Sequence, residues 1–168
     1  DILLDNCERN ITKNNQQKII IHLIGSLNSN YLRQIKLINI KKGNIEIKNY
    51  GNLRQKEYLK VFKKCVIGIG SLAMYRVGLT DGSTLKVREM LAMGLPVFSG
   101  HKDTALPNNF PYYYYSKSVD INKIIDFANR MNKTTREEVR NASYQYIDKK
   151  RWIINLVNEI KLLHKKTI

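Results

Sequence analysis

Apolar positions along this chain cluster into short runs separated by polar turns. Lys18 to Gly25 (K-I-I-I-H-L-I-G) is continuously apolar and closed by glycine, the pattern of a strand buried on both faces. Ile45 to Lys48 alternates and ends at Tyr50-Gly51-Asn52, Cys65 to Gly70 is a second buried strand, and Leu95 to Ser99 is a third, introduced by Gly94 and Pro96. Tyr112 to Tyr115 reads as a fifth strand after the loop Gly100 to Pro111. Helical spacing fills the intervals: Asp1 to about Asn14, Asn28 to Lys42 with Gly43 as its C-cap, and Leu53 to Lys64. Ser83 to Met93 follows with Ser83 or Thr84 as N-cap, and then Val119 to Met131, Thr135 to Tyr146 and Arg151 to about His164.

Strands alternating with helices of about 10–15 residues predict βαβ units and an α/β fold with a doubly wound, Rossmann-like parallel sheet. In such sheets ligands bind beyond the carboxyl ends of the strands, which singles out the loops after Ile24, Lys48, Ile69 and Phe98. At 168 residues the chain is a single domain (1–168), closed by an amphipathic helix over 151–168, or one piece of a larger enzyme. It starts at Asp1 rather than Met and has no apolar run approaching about 20 residues, so it reads as part of a cytoplasmic protein.

The charge adds an alternative. Lys and Arg total 29 against 14 Asp and Glu, a net charge of +15, which invites a nucleic-acid reading. Twenty of the 29 are Lys, however, and they are spread along the whole chain. Base readout favours Arg, and single-strand binding favours aromatics interleaved with charge. A solvated Lys-rich surface and attraction to a phosphate-bearing partner both remain open. The Lys149-Lys150-Arg151 run with Lys165-Lys166 offers contact with an anionic membrane surface, against a solvated face as the simpler reading. Two cysteines, Cys7 and Cys65, make no disulfide framework.

The richest loop follows Ile69. Asp81-Gly82-Ser83-Thr84 opens a helix whose first-turn amides lack intrahelical partners and whose dipole is positive there. Ser83 and Thr84 add hydroxyls and Lys86 a formal charge, which together form an anion cradle of the kind a diphosphate uses. Glu89 stands about two turns beyond Asp81, and a carboxylate is the usual acceptor for paired ribose hydroxyls. The plainer reading makes Asp81 a helix cap and Glu89 a solvated residue.

Asp81-Gly82-Ser83 followed by Glu89-Met90-Leu91-Ala92-Met93-Gly94-Leu95-Pro96-Val97 resembles the donor-binding signature of retaining GT-B glycosyltransferases, including bacterial surface-polysaccharide transferases. Asp81 stands where that family usually has Glu. The preceding strand and loop, Val66 to Arg76, resemble a capsule-type subgroup in which a Leu-x-x-Tyr-Arg-x-Gly-Leu run precedes the signature. The resemblance implies the C-terminal half of a GT-B fold lacking its first strand, with a nucleotide sugar as co-substrate and no obligatory metal. It implies that Asp81 meets the transferred sugar and that backbone amides of Gly82, Ser83 and Thr84 hold the distal phosphate. Glu89 would then accept from the ribose, and Tyr50, Gly51 and Asn52 would meet the base. Lys86 is an added phosphate candidate, and Arg88 makes a structural salt bridge. The family's Arg/Lys loop and its N-terminal acceptor domain do not appear in the chain, so the resemblance also implies a missing acceptor domain or partner chain and an isolated polypeptide that is inactive. Two rivals stand: a non-catalytic nucleotide-sugar-binding subunit, and a basic nucleic-acid-binding domain, which leaves the Asp81–Glu89 spacing unexplained.

Among other residues, His22 is expected as a core histidine and His101 as a solvated loop histidine at the ligand edge. Cys65 is expected as an inert buried thiol, Tyr112 to Tyr115 as half core, and Trp152 as a packing anchor.

Overall fold

Side-chain caps set where the helices begin. Asn28 accepts from the Tyr31 amide, Thr84 from Val87, Asp120 from Asn122, and Thr135 from Glu138, whose carboxylate returns a bond to the Thr135 amide. Each of these oxygens satisfies an amide that a helix start leaves without a partner. The computed structural model describes residues 2–11 and 17–166. In chain order they form α1 (Ile2–Arg9), β1 (Ile19–Leu23), α2 (Ser29–Ile40), β2 (Ile45–Asn49), α3 (Gln55–Phe62) and β3 (Gly68–Ile69). After a 3-10 turn at Met74–Val77 come α4 (Leu85–Ala92), β4 (Val97–Ser99), β5 (Tyr113–Tyr115), α5 (Ile121–Met131), α6 (Arg136–Ile147) and α7 (Lys149–Lys166).

The result is a mixed α/β protein with short parallel sheets and, among the described residues, seven α-helices, compatible with a Rossmann-like fold. Where a single doubly wound sheet is expected, the strands form two sheets. β1 pairs with β2, and β3, β4 and β5 pair in that order, all in parallel. Helices cover both faces of the three-stranded sheet. Phe98 joins a core with Leu4, Ile21, Ile38, Ile47 and Phe127, while its neighbour Val97 joins one with Val87, Leu91, Phe110 and Val139. That division follows from the period of two along a strand. Tyr114 stacks between Phe98 and Phe127 in one core and Tyr112 and Tyr113 pack against the other, so three tyrosines pack where alternation predicts half, because both faces of the sheet are covered; Tyr115 is exposed.

Five local expectations change. Gly43 is not the left-handed residue after α2; Lys42 takes that role with φ 48°. Its amide bonds the Asn39 carbonyl, closing the helix one residue early. The strand expected from Cys65 shrinks to Gly68–Ile69 because Cys65 still belongs to the end of α3: its amide bonds Phe62 and its thiol bonds the Val61 carbonyl. Cys65 is half-buried rather than fully buried, and burial raises its thiol pKa. α1 spans less than the expected Asp1 to Asn14, with Asp1 and 12–16 outside the described residues. α7 starts at Lys149, two residues before the expected 151, and the Trp152 side chain lies outside the described residues.

Gly94 shows how tightly α4 and α6 meet. Its φ is +78°, and a Cβ there would stand 2.4 Å from the Arg136 carbonyl oxygen. Arg136 in turn donates to the carbonyls of Met93, Phe62 and Cys65, tying α6 to the ends of α3 and α4. Gly94→Ala combines left-handed strain with overpacking and is expected to lower stability by at least about 2 kcal/mol in urea unfolding. A change below about 0.5 kcal/mol would show that the contact relaxes freely.

Candidate functional site

A cavity of about 940 Å³ lies between β1 and β3 and gathers side chains from four helices. Three of the residues assigned to the donor site line it: Tyr50 at the end of β2, Lys86 in the first turn of α4, and Glu89 one turn later. Asp81, Gly82, Ser83, Thr84, Gly51 and Asn52 do not line it. The loop carrying Gly51 stays beside it, because the Gly51 carbonyl accepts from Gly25 after β1 and φ +62° gives the turn its left-handed step.

The segment before α4 is built differently from a simple helix start. Asp81 forms a parallel bridge with Lys102: the Gly82 amide donates to the Lys102 carbonyl at 3.0 Å, and the Lys102 amide donates to Thr80 at 3.0 Å. The Gly82 amide is therefore committed to the protein, which takes it out of the anion cradle. Thr84, not Ser83, is the N-cap, its hydroxyl oxygen accepting from Val87 at 3.4 Å. The first-turn amides of Leu85 and Lys86 remain without helical partners. Asp81 itself is exposed, beside the Thr80 hydroxyl at 3.4 Å.

Glu89 is neither solvated alone nor free. The Tyr58 hydroxyl on α3 donates a short hydrogen bond to its Oε1, and holding that proton against the carboxylate pushes the Tyr58 phenol above its ordinary 10.0. One carboxylate oxygen thus keeps a fixed direction and the other remains to accept. Tyr58 belongs to the apolar stripe of α3 and reads as core in sequence; only its hydroxyl distinguishes it from the neighbouring Phe62, against which it packs edge to face.

His22 lines the same cavity, half-buried, with its Nδ1 2.8 Å from the Tyr50 hydroxyl and its ring stacked on that tyrosine. Burial, reinforced by Lys48 and Lys64, lowers its pKa below 6.5. The core role expected of His22 therefore becomes a wall position. Lys48, Lys64 and Lys86 all line this cavity with Glu89, a polar set that favours an anionic occupant carrying hydroxyls.

His101 overturns its expectation. It is wholly buried, with Nδ1 2.8 Å from Ser99 Oγ, and its carbonyl accepts from Tyr113 at 2.5 Å. It holds the β4–β5 loop in place and does not reach the cavity. Arg88 does form the expected salt bridge, to buried Asp103 at 3.4 Å, and also donates to the Tyr146 carbonyl at 3.0 Å. No protein-family model matches the chain, and neither curated proteins nor solved structures give a match.

Two outcomes test this arrangement. Arg88→Ala leaves the Asp103 carboxylate buried without its partner and is expected to cost about 3–5 kcal/mol in chemical unfolding. The Arg88→Ala/Asp103→Ala double variant should lose less than the two single losses combined. For His22, the folded state disfavours the proton, so the stability it contributes is present above pH 6.5 and lost as pH falls. Stability measured from about pH 8 to 5 should fall more steeply for the wild type than for His22→Asn. Parallel curves would place His22 in a fully solvated environment.

Proposed function

We propose that this chain is the nucleotide-sugar-binding half of a retaining GT-B type glycosyltransferase. In this reading it forms a doubly wound domain that lacks its first strand and acts with an acceptor domain or partner chain. The observation that carries the proposal is the meeting of Lys86 and Glu89, from one helix, with Tyr50, from the loop after β2, around a single cavity. Lysine and first-turn amides suit a diphosphate, a fixed carboxylate suits ribose hydroxyls, and an aromatic ring beside a glycine turn suits a base.

In this reading Glu89 accepts from the ribose through the oxygen that Tyr58 leaves open. Lys86 and the amides around Ser83 and Thr84 hold the phosphates, and exposed Asp81 meets the transferred sugar. Tyr50, Gly51 and Asn52 border the base. The reaction moves a sugar from a nucleoside diphosphate to a saccharide or lipid-linked acceptor with retention and without an obligatory metal, in bacterial surface polysaccharide synthesis. Charge on the departing diphosphate needs preorganised cations, and the chain by itself supplies Lys86 at that place. It is accordingly inactive alone, and nucleotide-sugar turnover by the isolated polypeptide would overturn that part. The location is cytoplasmic, at the inner face of a membrane; among the described residues no helix is long and apolar enough to cross one.

Calorimetric titration with UDP, GDP and their sugars tests the reading. One of the nucleotides is expected to bind, with Glu89→Ala weakening it by about tenfold or more, as loss of a hydrogen bond to a charged group does. Tyr58→Phe keeps the charge but releases its direction and should weaken binding by about two- to tenfold. Unchanged affinity in Glu89→Ala removes the ribose role. A steep salt dependence of oligonucleotide binding, with no nucleotide bound, would favour the nucleic-acid rival.

A further inference from the structure

The bridge that takes the Gly82 amide out of the anion cradle also sets a second charge beside Asp81. The Lys102 amide donates to the Thr80 carbonyl and the Lys102 carbonyl accepts from Gly82, so Lys102 is the ladder partner of Asp81 itself. Partners across a parallel bridge stand about 4.8 Å apart and direct their side chains to the same face. Both side chains are exposed, so an ammonium and a carboxylate share one open surface. Among the described residues Lys102 forms no salt bridge, to Asp81 or to any other carboxylate. The donor reading gives Asp81 a role and leaves Lys102 without one.

Lys102 is held more firmly than a solvated lysine requires. Its neighbours alternate with it, and both are buried: His101 is fully enclosed and Asp103 is 2 % exposed. His101 is fixed by Ser99 and by the Tyr113 hydroxyl, which donates to its carbonyl. Asp103 is fixed by Arg88 and by the Ala105 amide, which donates to the same carboxylate oxygen at 3.0 Å. Two residues before Lys102, the chain passes so close to Leu72 that a Cβ on Gly100 would stand 2.6 Å from the Leu72 carbonyl oxygen. His101 Nε2 and Asp103 Oδ2 find no partner among the described residues, and each such buried atom is unfavourable. A surface loop that only displays a solvated lysine needs neither anchor. What the two anchors secure is the position of Lys102 beside Asp81.

Electrostatics gives that position a use. An exposed carboxylate repels a phosphate brought near it, and a cation on the same face offsets that repulsion. Lys102 also supplies N–H donors where an ionised Asp81 supplies only acceptors. Lys86, the cation that the donor reading employs, lines the cavity, whereas Asp81 and Lys102 do not. We propose that Lys102 is a ligand-contacting residue: its ammonium binds an anionic group of the donor next to Asp81, either the distal phosphate or a carboxylate carried by the transferred sugar. The proposal rests on the donor reading and adds to Lys86 a second cation, from the loop after β4. Its backbone is fixed before the ligand arrives, so little ordering of the loop is needed on binding.

Calorimetry tests this with two series of compounds: UDP, UDP-glucose and UDP-glucuronate, and GDP, GDP-mannose and GDP-mannuronate. The proteins are the wild type, Lys102→Gln, Lys102→Arg and a control, Lys133→Gln, at an exposed lysine between α5 and α6. In the series that binds, Lys102→Gln is expected to weaken affinity by about tenfold, as loss of a hydrogen bond to a charged group does. Lys102→Arg keeps the charge and should retain most of the affinity. Amide exchange at Gly82 should be unchanged in Lys102→Gln, because the clamp is made by backbone. A loss shared by the diphosphate and both sugar conjugates assigns Lys102 to the distal phosphate. A loss confined to the uronate conjugate assigns it to the sugar carboxylate. Equal affinity of wild type and Lys102→Gln for every compound overturns the proposal and leaves the donor reading standing. A loss matched by Lys133→Gln, or accompanied by faster exchange at Gly82, also overturns it, by making the effect one of overall charge or of structure. Binding of no nucleotide in either series removes the donor reading and the proposal together.

Discussion

Backbone hydrogen bonding along the strand edges is the constraint on which the rest of this structure depends. A parallel strand covered on both faces must also find partners on both edges, because no water reaches its amides. β4 meets that condition, paired with β3 on one side and β5 on the other, and all three of its residues are fully buried. β1 and β3 meet it on one side only. Ile20 in β1 is 41 % exposed, Val66 just before β3 is 43 % exposed, and β3 is reduced to two residues. Burial therefore follows pairing, even though the apolar runs around β1 and β3 are as hydrophobic as the one around β4.

The polar interior has a complementary role: it fixes the loop beyond β4. Ser99, His101 and Tyr113 join one cluster, and Asp103, Arg88 and the Tyr146 carbonyl join another. Between them Lys102 is clamped to Thr80 and Gly82. His101 Nε2 and Asp103 Oδ2 are buried with no partner among the described residues, so this arrangement carries an unfavourable term that the surrounding packing must offset. In return, the Asp81 segment is held by backbone bonds while its side chain stays exposed. A position defined this way suits a ligand contact better than a free loop would.

Much of this was legible in the sequence. Thr84 and Thr135 announce their helices because a hydroxyl three residues before an amide is a local device. Periodicity gave the strand and helix order, and the adjacency of Lys86 and Glu89 on one helix follows from spacing alone. What stayed hidden is non-local. The Lys102–Gly82 bridge links residues 20 apart, and nothing at either place marks it. The Tyr58–Glu89 bond depends on how α3 lies against α4. The burial of His101 is hidden because a polar residue in a loop reads as solvated until the strand and tyrosine that bury it are in place. The shortness of β3 is hidden for a related reason: an apolar run reports that a segment wants burial, not whether its edge has a partner.

α4 connects these features through its geometry. Successive residues on a helix point about 100° apart, so neighbours serve different surroundings. Val87 and Leu91 are fully buried in the core under β4, and Arg88 turns to Asp103 and α6. Lys86, Glu89 and Met90 line the cavity between the sheets. Met90 meets the β3 edge so closely that a Cβ on Gly68 would stand 2.4 Å from its sulfur. Met90 and Glu89 share one turn of α4, and Tyr58 on α3 donates to Glu89. With the first helical turn anchored through Thr84 and the last through Gly94 and Arg136, the helix has little freedom to shift as a body.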